Sequence, residues 1–320
     1  MSSSSSKPAI YAALVGNLAI AVTKMTAAAW TGSSAMLSEG VHSLVDTGNE
    51  ILLLYGLHRA ARPPDEMHPL GHGRELYFWS FIVALLIFAI GAGVSFYEGV
   101  IHIISPEPIT DVKINYVVLG FAFLFESGSW YIAWKGFRTA TPDLGVLPDL
   151  DYIEAATRSK DPTTFIVLFE DSAALIGILI ALAGTFASDY LQMPALDGAA
   201  SIGIALLLAA TGAFLARESK GLLMGEPAGP RTRDRILQIA RRHDAVVNTE
   251  DLFTVHLAPR QVLVALRLDF AEASPGREIE REFSELDAEI RRTCPDVVAV
   301  FIRPRPRPQT APPAPAGQTA

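Results

Sequence analysis

Apolar runs recur along most of the chain, each long enough to cross about 30 Å of hydrocarbon, which takes about 20 helical residues. They lie at Pro8 to Trp30, Ser34 to Leu57, Leu76 to His102, Ile114 to Phe137, Thr163 to Ala187 and Ala195 to Ala216. The pattern predicts an α-helical membrane protein with six transmembrane helices filling residues 8–218, behind a polar N-terminal tail at 1–7. The first run carries Asn17 and Lys24 and has no small-residue cleavage site, so it reads as a retained span rather than a signal peptide. After Gly225 the pattern changes. Residues 219–230 read as a turn-rich linker, GEPAGP at its centre, and 231–304 as a small α+β domain. Helical spacing in Thr232 to His243, strand alternation in Val246 to Leu257 and Val262 to Phe270, helical spacing in Arg277 to Thr293 and a last strand at Val297 to Ile302 give αββαβ. The Pro-rich residues 305–320 are expected to be disordered.

Loop charge orients these spans. Arg59, Arg62 and Arg74 follow the second span, Lys135, Arg138, Arg158 and Lys160 the fourth, and Arg217 and Lys220 the sixth, whereas the opposite loops are neutral or acidic. The positive-inside rule then puts both termini in the cytoplasm, the expected location being the inner membrane of a bacterium. Composition agrees: 50% of the 320 residues are hydrophobic and 19% charged, with mean hydropathy +0.30. One cysteine excludes a disulfide framework and a multi-cysteine metal cluster, leaving His, Asp and Glu as metal ligands. The net charge of -8 gives no sign of a nucleic-acid partner, since several acids lie inside apolar runs.

Those intramembrane acids carry the chemistry. In SEGVHSLVDTGNE of the second run, Glu39, His42, Asp46, Asn49 and Glu50 share a broad helix face. A charged side chain at the bilayer centre costs about 2.5 to 3.5 kcal/mol on insertion scales, so such a face needs partners or a bound ion. His42 and Asp46, at i and i+4, form a clamp of imidazole and carboxylate, which suits zinc, cobalt or ferrous iron better than calcium or magnesium. In the fifth run Glu170 and Asp171 are adjacent and point about 100° apart, so one of them is expected to face the clamp. The alternative is polar glue between helices. Glu126 is a further buried-acid candidate, Asp197 is explained by its own helix dipole, and Lys24 and Glu98 are expected to snorkel from span ends. In the loop PPDEMHPLGHGRE, Asp65, His68, His72 and Glu75 form either a second, shallower metal site or a cluster that orients the loop. No nucleophile, cofactor motif or phosphate loop accompanies these acids, so no enzyme and no cofactor is expected.

The segments GSSAMLSEGVHSLVDTGNE, RPPDEMHPLGHGRELYFWS, SKDPTTFIVLFEDSAALIG and ESKGLLMGEPA resemble the cation diffusion facilitator family, in the branch similar to zinc transporter 9. The resemblance implies a homodimer that exports a divalent metal, zinc first with cobalt, iron or manganese as alternatives, in exchange for protons, and a metallochaperone-like cytoplasmic domain. It carries the metal site onto His42, Asp46 and Asp171, and the loop site onto Asp65, His68 and His72. Where many zinc-selective members have a His four residues before the aspartate, this chain has Val167, so Glu170, Glu126 or a water is left to complete coordination. Glu39, Asn49 and Glu50 are accessory or proton-coupling candidates. With His243 and His256 as its histidines, the cytoplasmic domain is expected to have reduced metal sites or none, and to serve dimerisation. The rival implied by Val167 is a metal sensor or membrane scaffold of the same fold that does not transport.

Overall fold

The structure, a computed structural model, describes residues 7–140, 159–243, 245–270 and 276–305. Arg158, the Pro-rich tail beyond 305 and the N-terminal tail before Lys7 lie outside the described residues. The chain forms two units, Met1–Gly225 and Glu226–Ala320.

The first unit contains α1 (Lys7–Thr31), α2 (Ser34–Ala60), α3 (Glu75–Ile104, with a π-helical segment Ile87–Ala92), α4 (Val112–Ala140), α5 (Pro162–Leu191) and α6 (Ala195–Met224). Among the described residues, α3, α4, α5 and α6 are long and apolar enough to cross a membrane by length and composition. α1 and α2, at 25 and 27 residues, are long enough, at about 1.5 Å per residue, but α2 is diluted by its row of acids. The burial pattern is that of a protein in lipid: α4 exposes Phe121 and Ile132 while burying Asn115 and Glu126.

Local sequence sets the helix ends. Gly32 (φ 72) turns the chain, and Ser33 caps α2 by accepting from the Met36 amide at 3.1 Å. Asp197, in the first turn of α6, does more than sit on its own helix dipole. Its carboxylate accepts from Ser33 Oγ (2.8 Å), Ser34 Oγ (3.1 Å) and the Ala35 amide (3.1 Å), so it holds the positive end of α2. Asp161 caps α5 with Pro162 behind it. α6 runs on to Met224, through residues expected to be linker, because Leu215, Ser219 and Leu222 keep a buried stripe at helical spacing; Gly225 (φ 102) then ends it. The residues between α6 and α7 are therefore 225–229 rather than 219–230. Lys24 also departs from expectation: it is completely buried, because Glu39 of α2 meets it.

The second unit consists of α7 (Pro230–Ala240), β1 (Val246–Ala258), β2 (Gln261–Phe270), α8 (Gly276–Thr293) and β3 (Val297–Pro304). The sheet order is β1-β2-β3, with β1 antiparallel and β3 parallel to β2. Every second residue of β2, Val262 to Phe270, is buried and packs with Ile236 and Ile239 of α7 and Leu286 and Ile290 of α8. The opposite sheet face aligns Phe253, Ala265 and Phe301 across the strands, with Phe253 and Phe301 exposed.

Candidate metal centre

The helical repeat of α2 brings its polar residues to one side, and packing against α1 and α5 buries Glu39, His42 and Asn49. The neighbouring helices contribute the polar partners. From α1, Asn17 donates to Glu50 Oε1 at 2.6 Å, and Lys24 Nζ donates to Glu39 Oε2 at 3.0 Å and to Ser43 Oγ at 2.9 Å. From α5, Glu170 Oε1 accepts from Asn49 Nδ2 at 2.7 Å. From α4, Ser129 Oγ donates to Asp171 Oδ2 at 2.9 Å.

At the centre of this network the lone pairs outnumber the donors. His42 Nδ1 stands 3.3 Å from Asp46 Oδ1, yet His42 Nδ1 and Nε2, Asp46 Oδ1, Asn49 Oδ1 and Glu39 Oε1 are all buried without a hydrogen-bond partner. A buried polar atom left unsatisfied costs about 1–3 kcal/mol. Five together mark a place where a cation would be favoured, and the donor chemistry of imidazole and carboxylate suits a borderline divalent metal. Beside them a cavity of about 10 Å³, the size of one water-sized particle, is lined by Asn17, Ser43, Asp46, Glu50, Glu126, Val167, Glu170 and Asp171.

The structure thus brings Asp46, Glu50, Glu126, Glu170 and Asp171 to one cavity, with His42 outside its lining but 3.3 Å from Asp46. Both Glu170 and Asp171 line the cavity. Val167 forms an apolar stretch of the same wall. Ligand atoms of His42, Asp46 and Asp171 do not converge as tightly as those of two other groups. Among the described residues, three ligand atoms come within 4.8 Å of one another in Asp65–His68–His72 and in His243–Glu282–Glu285.

In the loop between α2 and α3, Asp65 organises the first of those groups. Its Oδ1 accepts from the His68 amide (2.7 Å) and lies 3.2 Å from His68 Nδ1, and its Oδ2 lies 2.9 Å from His72 Nε2. Gly71 (φ 83) provides the left-handed turn that folds the two imidazoles together, with ring centroids 4.2 Å apart. His72 is nearly buried, with Nδ1 unpartnered. Glu75 turns away to Arg59 (2.7 Å) and Trp79 (3.0 Å) and stands outside the group.

Two features are absent from the sequence reading. Lys24 places an ammonium in the network, and Asn17, Lys24 and Thr31 follow one another at seven-residue spacing on α1, each hydrogen-bonded to a different helix or side chain. That spacing was a legible signal, since three polar residues on one stripe of a membrane helix imply an internal face. The second is the His243 group, which joins residues far apart in sequence and has no local signature.

Comparison with known proteins follows the same lines. The cation efflux transmembrane domain matches residues 10–224. The mitochondrial proton-coupled zinc antiporter SLC30A9 of Xenopus laevis is 31% identical over 82% of this chain and 45% of its own length, and the human protein of that name is 30% identical over the same shares. Metal tolerance protein C4 of Arabidopsis thaliana is 31% identical over 75% of this chain and 52% of its own. The chain spans about half the length of these relatives.

Proposed function

The chain belongs to the cation efflux family, and from that premise we propose that it carries a divalent metal cation, zinc foremost, across a membrane in exchange for protons. The carrying observation is the set of unpartnered nitrogen and oxygen atoms on His42, Asp46, Asn49 and Glu39 beside a cavity walled by acids from α2, α4 and α5. In this reading the ion is held by His42, Asp46, Asp171 and Glu170, with Glu126 and Glu50 within the same cavity wall. Metal arriving from the cytoplasm displaces protons from these groups, and protons from the far side displace the metal, because imidazole and carboxylate bind one or the other. Alternating exposure of the cavity to the two sides makes the exchange vectorial. The names of the SLC30A9 relatives, proton-coupled zinc antiporters, support zinc and proton coupling alike.

The first unit is an integral, multi-pass membrane domain. We take α1 and α2 as spans also, giving six, since the charged face of α2 is turned inward against α1 and α5 and not toward lipid. Both termini then lie on the side of the Arg- and Lys-rich loops, the cytoplasm of a bacterial cell in this reading. Asp65, His68 and His72 form a second, shallower metal site in the loop on that side.

The experiment is metal flux into proteoliposomes, read by an internal dye. His42→Ala and Asp46→Ala are each expected to abolish zinc uptake with retained elution and helicity, and collapse of the pH gradient to slow the wild type. Wild-type rates in both variants would overturn the site, and rates indifferent to the gradient would overturn the coupling. Cobalt and manganese in the same assay, beside Glu170→Ala and Glu126→Ala, identify the remaining ligand. One observation favours a second reading: Val167 in the cavity wall offers no ligand, as in a sensor or scaffold of this fold. Absence of flux for every metal, with metal still bound, would establish it.

A further inference from the structure

We propose that His243, Glu282 and Glu285 form a binding site for a divalent transition-metal cation within the second unit, independent of the cavity between α2 and α5. His243 follows the C-terminus of α7, and the three glutamates Glu282, Glu285 and Glu289 line one face of α8 at i, i+3 and i+7. Ile236 and Ile239 of α7 pack with Leu286 and Ile290 of α8, so the hydrophobic core between these helices fixes the distance across which the cluster forms.

The geometry exceeds what an ordinary surface ion pair provides. His243 Nδ1 is 2.9 Å from Glu282 Oε2 and Nε2 is 3.3 Å from Glu289 Oε2, with the imidazole 11% and the Glu282 side chain 14% exposed. Ligand atoms of His243, Glu282 and Glu285 all lie within 4.8 Å of one another. An imidazole that binds a metal does so through one ring nitrogen and keeps an N–H on the other, so His243 can hold an ion while still donating to a carboxylate. Arg281 already approaches Glu282 Oε1 (3.8 Å) and Glu285 Oε1 (3.5 Å) from one side, and Arg242 lies near Glu289 in the wall of the adjoining cleft. Three carboxylates therefore share the cluster with partial compensation from arginine, a charge balance that favours a bound cation.

The donor set defines the class of ion. One nitrogen and two carboxylate oxygens suit zinc, manganese, cobalt or ferrous iron, whereas calcium and magnesium prefer all-oxygen shells. Three protein ligands leave a position for water, as in exchangeable sites and unlike closed structural ones. A bound ion would tie the end of α7 to α8 and stabilise the second unit by mass action.

The test uses the full chain in detergent, with His42, Asp46, His68 and His72 all changed to Ala so that the candidate sites of the first unit are removed. Equilibrium dialysis against Zn²⁺ is expected to retain one ion per chain, and Co²⁺ in its place to give the visible bands of a nitrogen- and oxygen-ligated site. Glu285→Gln is expected to weaken that binding roughly tenfold or more without loss of helicity, since Glu285 is half-exposed and contacts Arg281 at the surface. His243→Asn should abolish it. No bound Zn²⁺ in the background protein, or unchanged affinity in Glu285→Gln, would overturn the proposal and leave an ion-pair latch between two helices. Zinc flux by Glu285→Gln in an otherwise native chain, measured alongside, reports separately on the transport reading.

Discussion

At Lys24 an ammonium group sits with no exposure between Glu39 and Ser43. Removing one partner of such a pair leaves an uncompensated buried charge, an effect of about 3–5 kcal/mol, whereas replacing both with apolar residues is much milder. Lys24→Met is therefore expected to lower the melting temperature in detergent sharply, and Lys24→Met with Glu39→Leu to recover most of the loss. Equal damage from single and double variants would show that the pair acts otherwise. Asp65 offers a pH test. Hydrogen bonds from His72, and next from the His68 amide, hold its carboxyl down to about 2 from an ordinary 3.8. A depressed carboxyl stabilises the ordered loop above its unfolded value and loses that contribution as pH falls through its folded one. Order in residues 65–72 should thus persist down to about pH 4 and fade between there and about pH 2, which amide-exchange protection at His68 and Gly71 would follow. Asp65→Asn should remove most of that pH dependence.

At the scale of elements, helix contacts in the first unit depend on small residues. A Cβ placed on Gly99 of α3 would lie 2.8 Å from the Gly198 carbonyl of α6, and one on Gly198 would lie 2.9 Å from the Gly99 carbonyl, so the two backbones touch directly. Gly198→Ala is expected to cost about 1–3 kcal/mol by forcing the helices apart, whereas Gly128→Ala on α4, where a Cβ meets open space, should be neutral. Thermal unfolding of the two variants side by side distinguishes a packing effect from a general intolerance of helix substitution. The same crowding reaches the candidate site, because a Cβ on Gly177 of α5 would collide with Glu39 Oε1. That glycine lets the Lys24–Glu39 pair lie flat against α5.

At the scale of the molecule, exposed Phe253 and Phe301 flank Ala265 on one face of a three-stranded sheet. An exposed apolar patch of this kind is the usual mark of an interface, and a second copy of the chain is the expected occupant to be tested. Light scattering is expected to give two copies per particle for the native chain and one for Phe253→Asp with Phe301→Asp; a native monomer would overturn that expectation. The division of information between sequence and tertiary structure follows from range. Helix positions, the polar face of α2, the acids of α5 and the strand alternation of β2 are properties of residues a few positions apart, so periodicity alone determined them. Which acids share a cavity, that Lys24 is buried and not snorkelling, that Asp197 holds the end of α2, and that His243 meets glutamates about forty residues away were decided by the packing of helices against one another. A side chain's partner across an interface depends on the rotation and offset of two elements, and no local spacing encodes either.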